Sequence, residues 1–115
     1  MANNNLAVRL AAEPLRTLAF GAISGTFAGI GTALAHPCRI IHVTNTTDVL
    51  LTYSLDGVNA HFVVPSNSFL LLDVTTNRTD TGGSWNIAQG TRIYVEGAPT
   101  LGATYVAVFY GVSSD

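Results

Sequence analysis

Residues 49–74, VLLTYSLDGVNAHFVVPSNSFLLLDV, constrain the fold of this chain more than any other stretch. Val49, Leu51, Tyr53 and Leu55 share one side of an extended chain and Leu50, Thr52 and Ser54 share the other, because side chains alternate with a period of two along a strand. Asp56-Gly57 then predicts a tight turn, since glycine enters positive φ freely and aspartate tolerates it. A second run at 60–64 ends in Pro65-Ser66-Asn67-Ser68, where proline withdraws a ladder donor, and a third run covers 69–74. The expectation is a three-stranded antiparallel meander in the middle of the chain.

The flanking sequence extends this pattern. Residues 38–45, CRIIHVTN, read as a strand, as do the short Trp85-Asn86-Ile87 and the run 91–96, with Ile93 and Val95 on one face. Residues 104–112, TYVAVFYGV, are apolar on both faces and suit a central strand. Between them, 75–84 holds no apolar residue and reads as a surface loop. The uncharged run 18–35 spaces Gly21, Gly25 and Gly29 by four, as a membrane helix with a small-residue face would. Its Ser24, Thr26 and Thr32, its glycine and alanine content and the lack of a flanking Lys/Arg cluster favour instead a strand pair turning at Ser24-Gly25. The N-terminus does not carry the pattern of a signal peptide. The chain is therefore expected to be all-β: an N-terminal arm at 1–15, extended or weakly helical, and one antiparallel β-sandwich or jelly roll of about eight short strands at 16–115.

A length of 115 residues suits a single domain that buries roughly two-thirds of its unfolded surface. Only 10% of the residues are charged, against about 25% in ordinary soluble domains. Charge keeps independent proteins apart, and surfaces that are covered in assemblies shed it. The five basic residues are all arginine, the cation preferred at interfaces for its rigid donor fork. A net charge of −2 and the absence of a basic run argue against direct nucleic-acid binding.

Chemistry-bearing motifs are sparse. His36, His42 and His61 stand at no metal-ligand spacing, and no nucleophile elbow, phosphate-binding loop or EF-hand pattern occurs. Asp48, Asp56 and Asp80 fit turns. Cys38 is the sole cysteine, so no internal disulfide is possible, and it reads as a small buried hydrophobe. Asn45 and Asn77 each begin an N-x-T acceptor pattern in predicted turns. The expectation is a non-enzyme with no catalytic residue, no metal and no cofactor. An alternative is a carbohydrate-binding sandwich that uses Trp85 and the loop 79–84 as a sugar platform.

Several pieces together resemble the small β-sandwich virion proteins of tailed bacteriophages: residues 44–48 (TNTTD), 54–57 (SLDG), 65–68 (PSNS), a strand ending at Asp73, 90–97 (GTRIYVEG) and the aromatic strand 105–110. The resemblance covers about residues 16–112. It implies a structural subunit of the virion, either a capsid decoration (cement) protein or a component of the neck and collar. The partners implied are other copies of the chain and the major capsid or portal and neck proteins, with no membrane contact. The residues expected at such interfaces are Leu6, Leu10, Phe20, Phe27, Ile30, Arg39, Arg78 and Arg92.

Overall fold

The computed structural model describes residues 8–73 and 87–113. They form a β-sandwich of two antiparallel sheets. In the first sheet, β1 (Val8–Ala12) and β2 (Arg16–Ala19) share one edge, followed by β9 (Ala103–Ser113), β4 (Ile40–Asn45) and β7 (Ser68–Asp73). In the second, the order is β3 (Ala28–Gly29), β8 (Tyr94–Glu96), β5 (Leu51–Ser54) and β6 (Phe62–Val64).

β1 and β2 are two parts of one interrupted edge. β2 pairs with the first part of β9 (Arg16↔Val106) and β1 with its last part (Ala12↔Phe109). Pro14 has no N–H to give to a ladder, so the edge breaks there, while the Glu13 N–H still donates to the Val108 carbonyl at 3.0 Å. Part of the segment expected as an arm thus lies in the sheet as β1. Leu6 lies outside the described residues.

The expected meander is corrected. β5 and β6 form an antiparallel hairpin (Leu51↔Val64), but β7 pairs with β4 in the opposite sheet (Val43↔Leu70). The turn at 65–67 therefore carries the chain between sheets rather than back along one. Asn45 explains this crossing. Its fully buried amide nitrogen donates to Val49 O, Val64 O and Pro65 O, at 2.9, 2.9 and 3.2 Å, and its Oδ1 accepts from Thr47 N at 2.8 Å. One side chain so bonds backbone groups of two crossings, β4 to β5 and β6 to β7, and supplies the Val64 carbonyl with a donor in the interior. Asn67, in the left-handed region at φ 55°, completes the second crossing.

The expected strand pair at 18–34 is also corrected. β2 ends in a 3-10 turn, Phe20–Ala22, and β3 belongs to the other sheet, so this segment is a third crossing. Among the described residues no helix is long and apolar enough to cross a membrane. The Asp56-Gly57 turn is wider than a two-residue hairpin. Asp56 Oδ1 accepts from Val58 N and Asn59 N at 2.8 Å each, which closes a longer Asx-type loop, and Gly57 takes φ 78°.

The core forms where the inner faces meet. Ile41, Val43, Val106 and Val108 from the first sheet pack against Leu51, Tyr53, Val64 and Val95 from the second, with Ile30, Leu34, Cys38 and Ile93 at the margin. Each such side chain contributes about 1.5–3 kcal/mol on burial.

Candidate interaction surface

The two sheets treat their outer faces differently. Directly opposed residues of an antiparallel pair share a face, so the registers define each surface. Thr52, Val63, Tyr94 and Glu96 share the outer face of the second sheet. Arg92 follows them, its Cζ 5.7 Å from the Tyr94 ring centre and its Nε donating to Gly31 O at 2.9 Å. This exterior is mixed: Thr52, Tyr94 and Glu96 are polar, while Val63 is 52% exposed.

The outer face of the first sheet is more apolar. Three levels of side chains run across its outer face: Phe69, Thr44, Tyr105 and Thr17; then Leu71, His42 and Ala107; then Asp73, Ile40, Phe109 and Ala12. Leu10 extends the face beyond Ala12. Phe69 is 64% exposed, Leu71 52% and Leu10 53%. The Phe69 ring lies 5.0 Å from His42, whose Nδ1 is 3.3 Å from Thr44 Oγ1. Among these side chains Asp73 alone carries a formal charge at neutral pH when His42 is neutral, and it stands at one corner. At the opposite edge an open hollow of about 330 Å³ is bounded by Pro14, Leu15, Arg16, Thr17, Gly31 and Thr32.

The residues expected at interfaces do not form one patch. Leu10 belongs to this outer face. Phe20 is exposed on the 3-10 turn and Phe27 is half-buried before β3. Ile30 is corrected: it is fully buried and is part of the core, its N–H donating to Ile93 O at 2.7 Å. Arg39 immediately precedes β4, with its N–H donating to Phe109 O at 2.9 Å. Arg92 lies by the second sheet instead. Leu6, Arg78, Trp85 and the loop 79–84 lie outside the described residues. Sequence reasoning missed Phe69, Leu71, Tyr105 and Phe109; the doubly apolar run 104–112 was the signal for the last two.

A polar knot sits behind the β1–β2 edge. The buried Glu13 carboxylate accepts from Arg16 Nη2 at 2.7 Å, from Ala35 N at 3.1 Å and meets His36 Nδ1 at 2.8 Å. Burial alone would raise the Glu13 pKa, but the hydrogen bonds from Arg16, His36 and Ala35 outweigh it and hold the carboxyl below its ordinary value. Arg16 also donates to Thr32 O at 2.8 Å and Ala33 O at 3.1 Å. The His36 ring stacks on Tyr110, with centroids 3.7 Å apart. These contacts bind residues 31–36 to the sheet edge. Cys38 is adjacent, yet burial pushes its thiol up to about 11, and its Sγ–H donates to His36 O, so it lacks nucleophilic character.

His61 is committed too: its Nδ1 accepts from Leu55 N at 2.9 Å. Among the described residues no three His, Cys, Asp or Glu side chains gather as metal ligands. Asn45 is wholly buried and bonded on both sides of its amide, which removes it as a glycan acceptor in the folded chain. The space left between the sheets beside Ile41, Leu55, Phe62, Leu70 and Ile93 is about 10 Å³, too small for a ligand. Comparison with protein-family models, with characterised proteins and with solved structures finds no match for this chain.

Proposed function

We propose that this chain is a non-enzymatic structural subunit of a tailed-phage virion, which stabilises the capsid shell or the neck by covering and being covered by neighbouring subunits. The observation that carries the reading is the outer face of the first sheet, where Phe69, Leu71 and Leu10 stand exposed around Ile40, Ala107 and Phe109. Apolar patches of a few hundred Å² are often functional surfaces, and this one, with the low overall charge of the chain, supports cover by another protein. Four strand positions of about 4.8 Å and six residues of about 3.3 Å give the face roughly 400 Å² in projection. At about 25 cal/mol per Å² its burial yields on the order of 10 kcal/mol, which competes with an association cost of about 4–15 kcal/mol. The surface therefore suits a subunit held at many simultaneous contacts.

The test is the protein inventory of tailed-phage particles purified from the host that carries this sequence. The expected result is the chain in particles at a copy number set by shell or neck symmetry, with Leu71→Lys depleted from them and Val63→Lys retained. Particles that lack the chain, with the protein left in the soluble lysate, would overturn the proposal.

A further inference from the structure

We propose that His61 is a pH-operated latch on the loop 55–60 between β5 and β6: the neutral ring closes the loop and the protonated ring releases it. The two strands still pair at this end of the hairpin through their backbones, with the His61 N–H donating to Tyr53 O at 2.9 Å. The Leu55 N–H, just past the end of β5, goes instead to the His61 side chain, whose Nδ1 accepts it at 2.9 Å. A backbone N–H can only donate, and a ring nitrogen accepts only while it carries no proton, so the bond requires the neutral tautomer with its hydrogen on Nε2. An imidazolium carries N–H on both nitrogens, so turning the ring over does not restore an acceptor. Proton uptake therefore sets two donors against each other, and the contact opens.

The other two histidines lack this property. His36 Nδ1 faces the Glu13 carboxylate, which accepts an N–H from either charge state, and His42 Nδ1 faces the Thr44 hydroxyl, which donates or accepts as required. His61 alone makes a bond that one protonation state forbids. Its ring is exposed and open to proton exchange, while Leu55 is half-buried and packs with Phe62 against the core. The titratable and charged groups around the loop are Asp56 within it, Tyr94 and Glu96 on β8, and Arg92 over the Tyr94 ring. Among the described residues none of them forms an ion pair with His61. Asp56 is already engaged: its Oδ1 accepts from Asn59 N and Val58 N at 2.8 Å each and from Ser54 Oγ at 2.9 Å, and its Oδ2 from Asn59 Nδ2 at 3.0 Å. Those bonds hold the Asp56 carboxyl far below its usual range. Acidification through the histidine range, about pH 8 to 5, thus frees the Leu55 end of the loop while the Asp56 turn stays closed.

The test is nuclear magnetic resonance of the folded chain across that range, with backbone and ring nitrogens labelled. The expected result at the alkaline end is an unprotonated His61 Nδ1. On acidification the Leu55 amide resonance should move in step with the His61 ring. Its hydrogen-exchange protection, corrected for the intrinsic rate, should fall about fivefold, the worth of one such bond, while the Val58 and Asn59 amides hold theirs. His61→Asn places an amide oxygen, which does not titrate, near the position of Nδ1 and should make Leu55 protection independent of pH. His61→Phe should leave Leu55 unprotected throughout, with circular dichroism of both variants guarding against misfolding. A proton on Nδ1 at the alkaline end, a Leu55 amide that ignores the His61 titration, or a Leu55 response that persists in His61→Asn would overturn the inference.

Discussion

The Tyr53 hydroxyl donates to Thr104 Oγ1 at 2.7 Å, and Thr104 in turn donates to Thr44 O at 3.0 Å, so a polar chain joins the second sheet to the first in the interior. Burial pushes the Tyr53 phenol up to about 12, with the Thr104 bond acting in the opposite direction. Tyr53→Phe removes one donor and leaves Thr104 still bonded, so it should cost about 1 kcal/mol in urea unfolding. Thr104→Val should cost more, about 1–3 kcal/mol, because it strands the phenol. Because the folded state favours the neutral phenol, stability is held below the ordinary tyrosine pKa and should fall as pH rises past about 10.

Asn45 braces the β4–β5 and β6–β7 crossings, and its loss takes the amide donor from the carbonyls of Val49, Val64 and Pro65, the Val64 bond being buried. Asn45→Ala should destabilise by about 2–4 kcal/mol. Asn45→Asp keeps the shape but replaces the amide donor with an anion among carbonyl oxygens, and should be no better. Chemical denaturation of the two variants checks both.

Glu13 has a lowered pKa in the folded protein, so its contribution is fully present above the ordinary carboxylate value, about 4.5, and is lost as pH falls through the folded value. Denaturation midpoints should therefore hold from pH 7 to 5 and then decline. Glu13→Gln should flatten that decline while lowering stability at pH 7 by about 3 kcal/mol, since Arg16 is left buried without its counter-charge. An unchanged acid profile in Glu13→Gln would remove the carboxylate as its source.

Cys38 should be silent to thiol reagents in the native state. With its pKa at about 11, roughly one thousandth of it is thiolate at pH 8, and the side chain is wholly buried. Labelling should proceed only at the rate of unfolding, and denaturant should restore ordinary reactivity.

The strands were legible in the sequence wherever apolar residues alternate, as at Ile41 and Val43 or Ile93 and Val95. Their pairing was not, because Pro65 and Asn67 signal a turn without saying whether the chain returns within its sheet or leaves it. That choice depends on Asn45, twenty residues earlier, whose amide is read from sequence only as a turn former. The Glu13–Arg16–His36 knot was illegible for the same reason: nothing in spacing brings residue 36 to residue 13. The uncharged exterior was half-visible, as low overall charge and as the doubly apolar run 104–112. The sequence could not say which faces would share it, since Leu71 and Phe109 become neighbours of His42 and Ile40 only through β4.

β9, the latest of the described strands in the chain, is the one that joins the rest of the first sheet, with β1 and β2 on one side and β4 on the other. A growing polypeptide consequently holds β1, β2, β4 and β7 without the strand that unites them until this segment has left the ribosome. The outer face of the first sheet is therefore complete only once β9 has been made, since a chain that stops short of it lacks Tyr105, Ala107 and Phe109 and the link between the β1–β2 edge and β4.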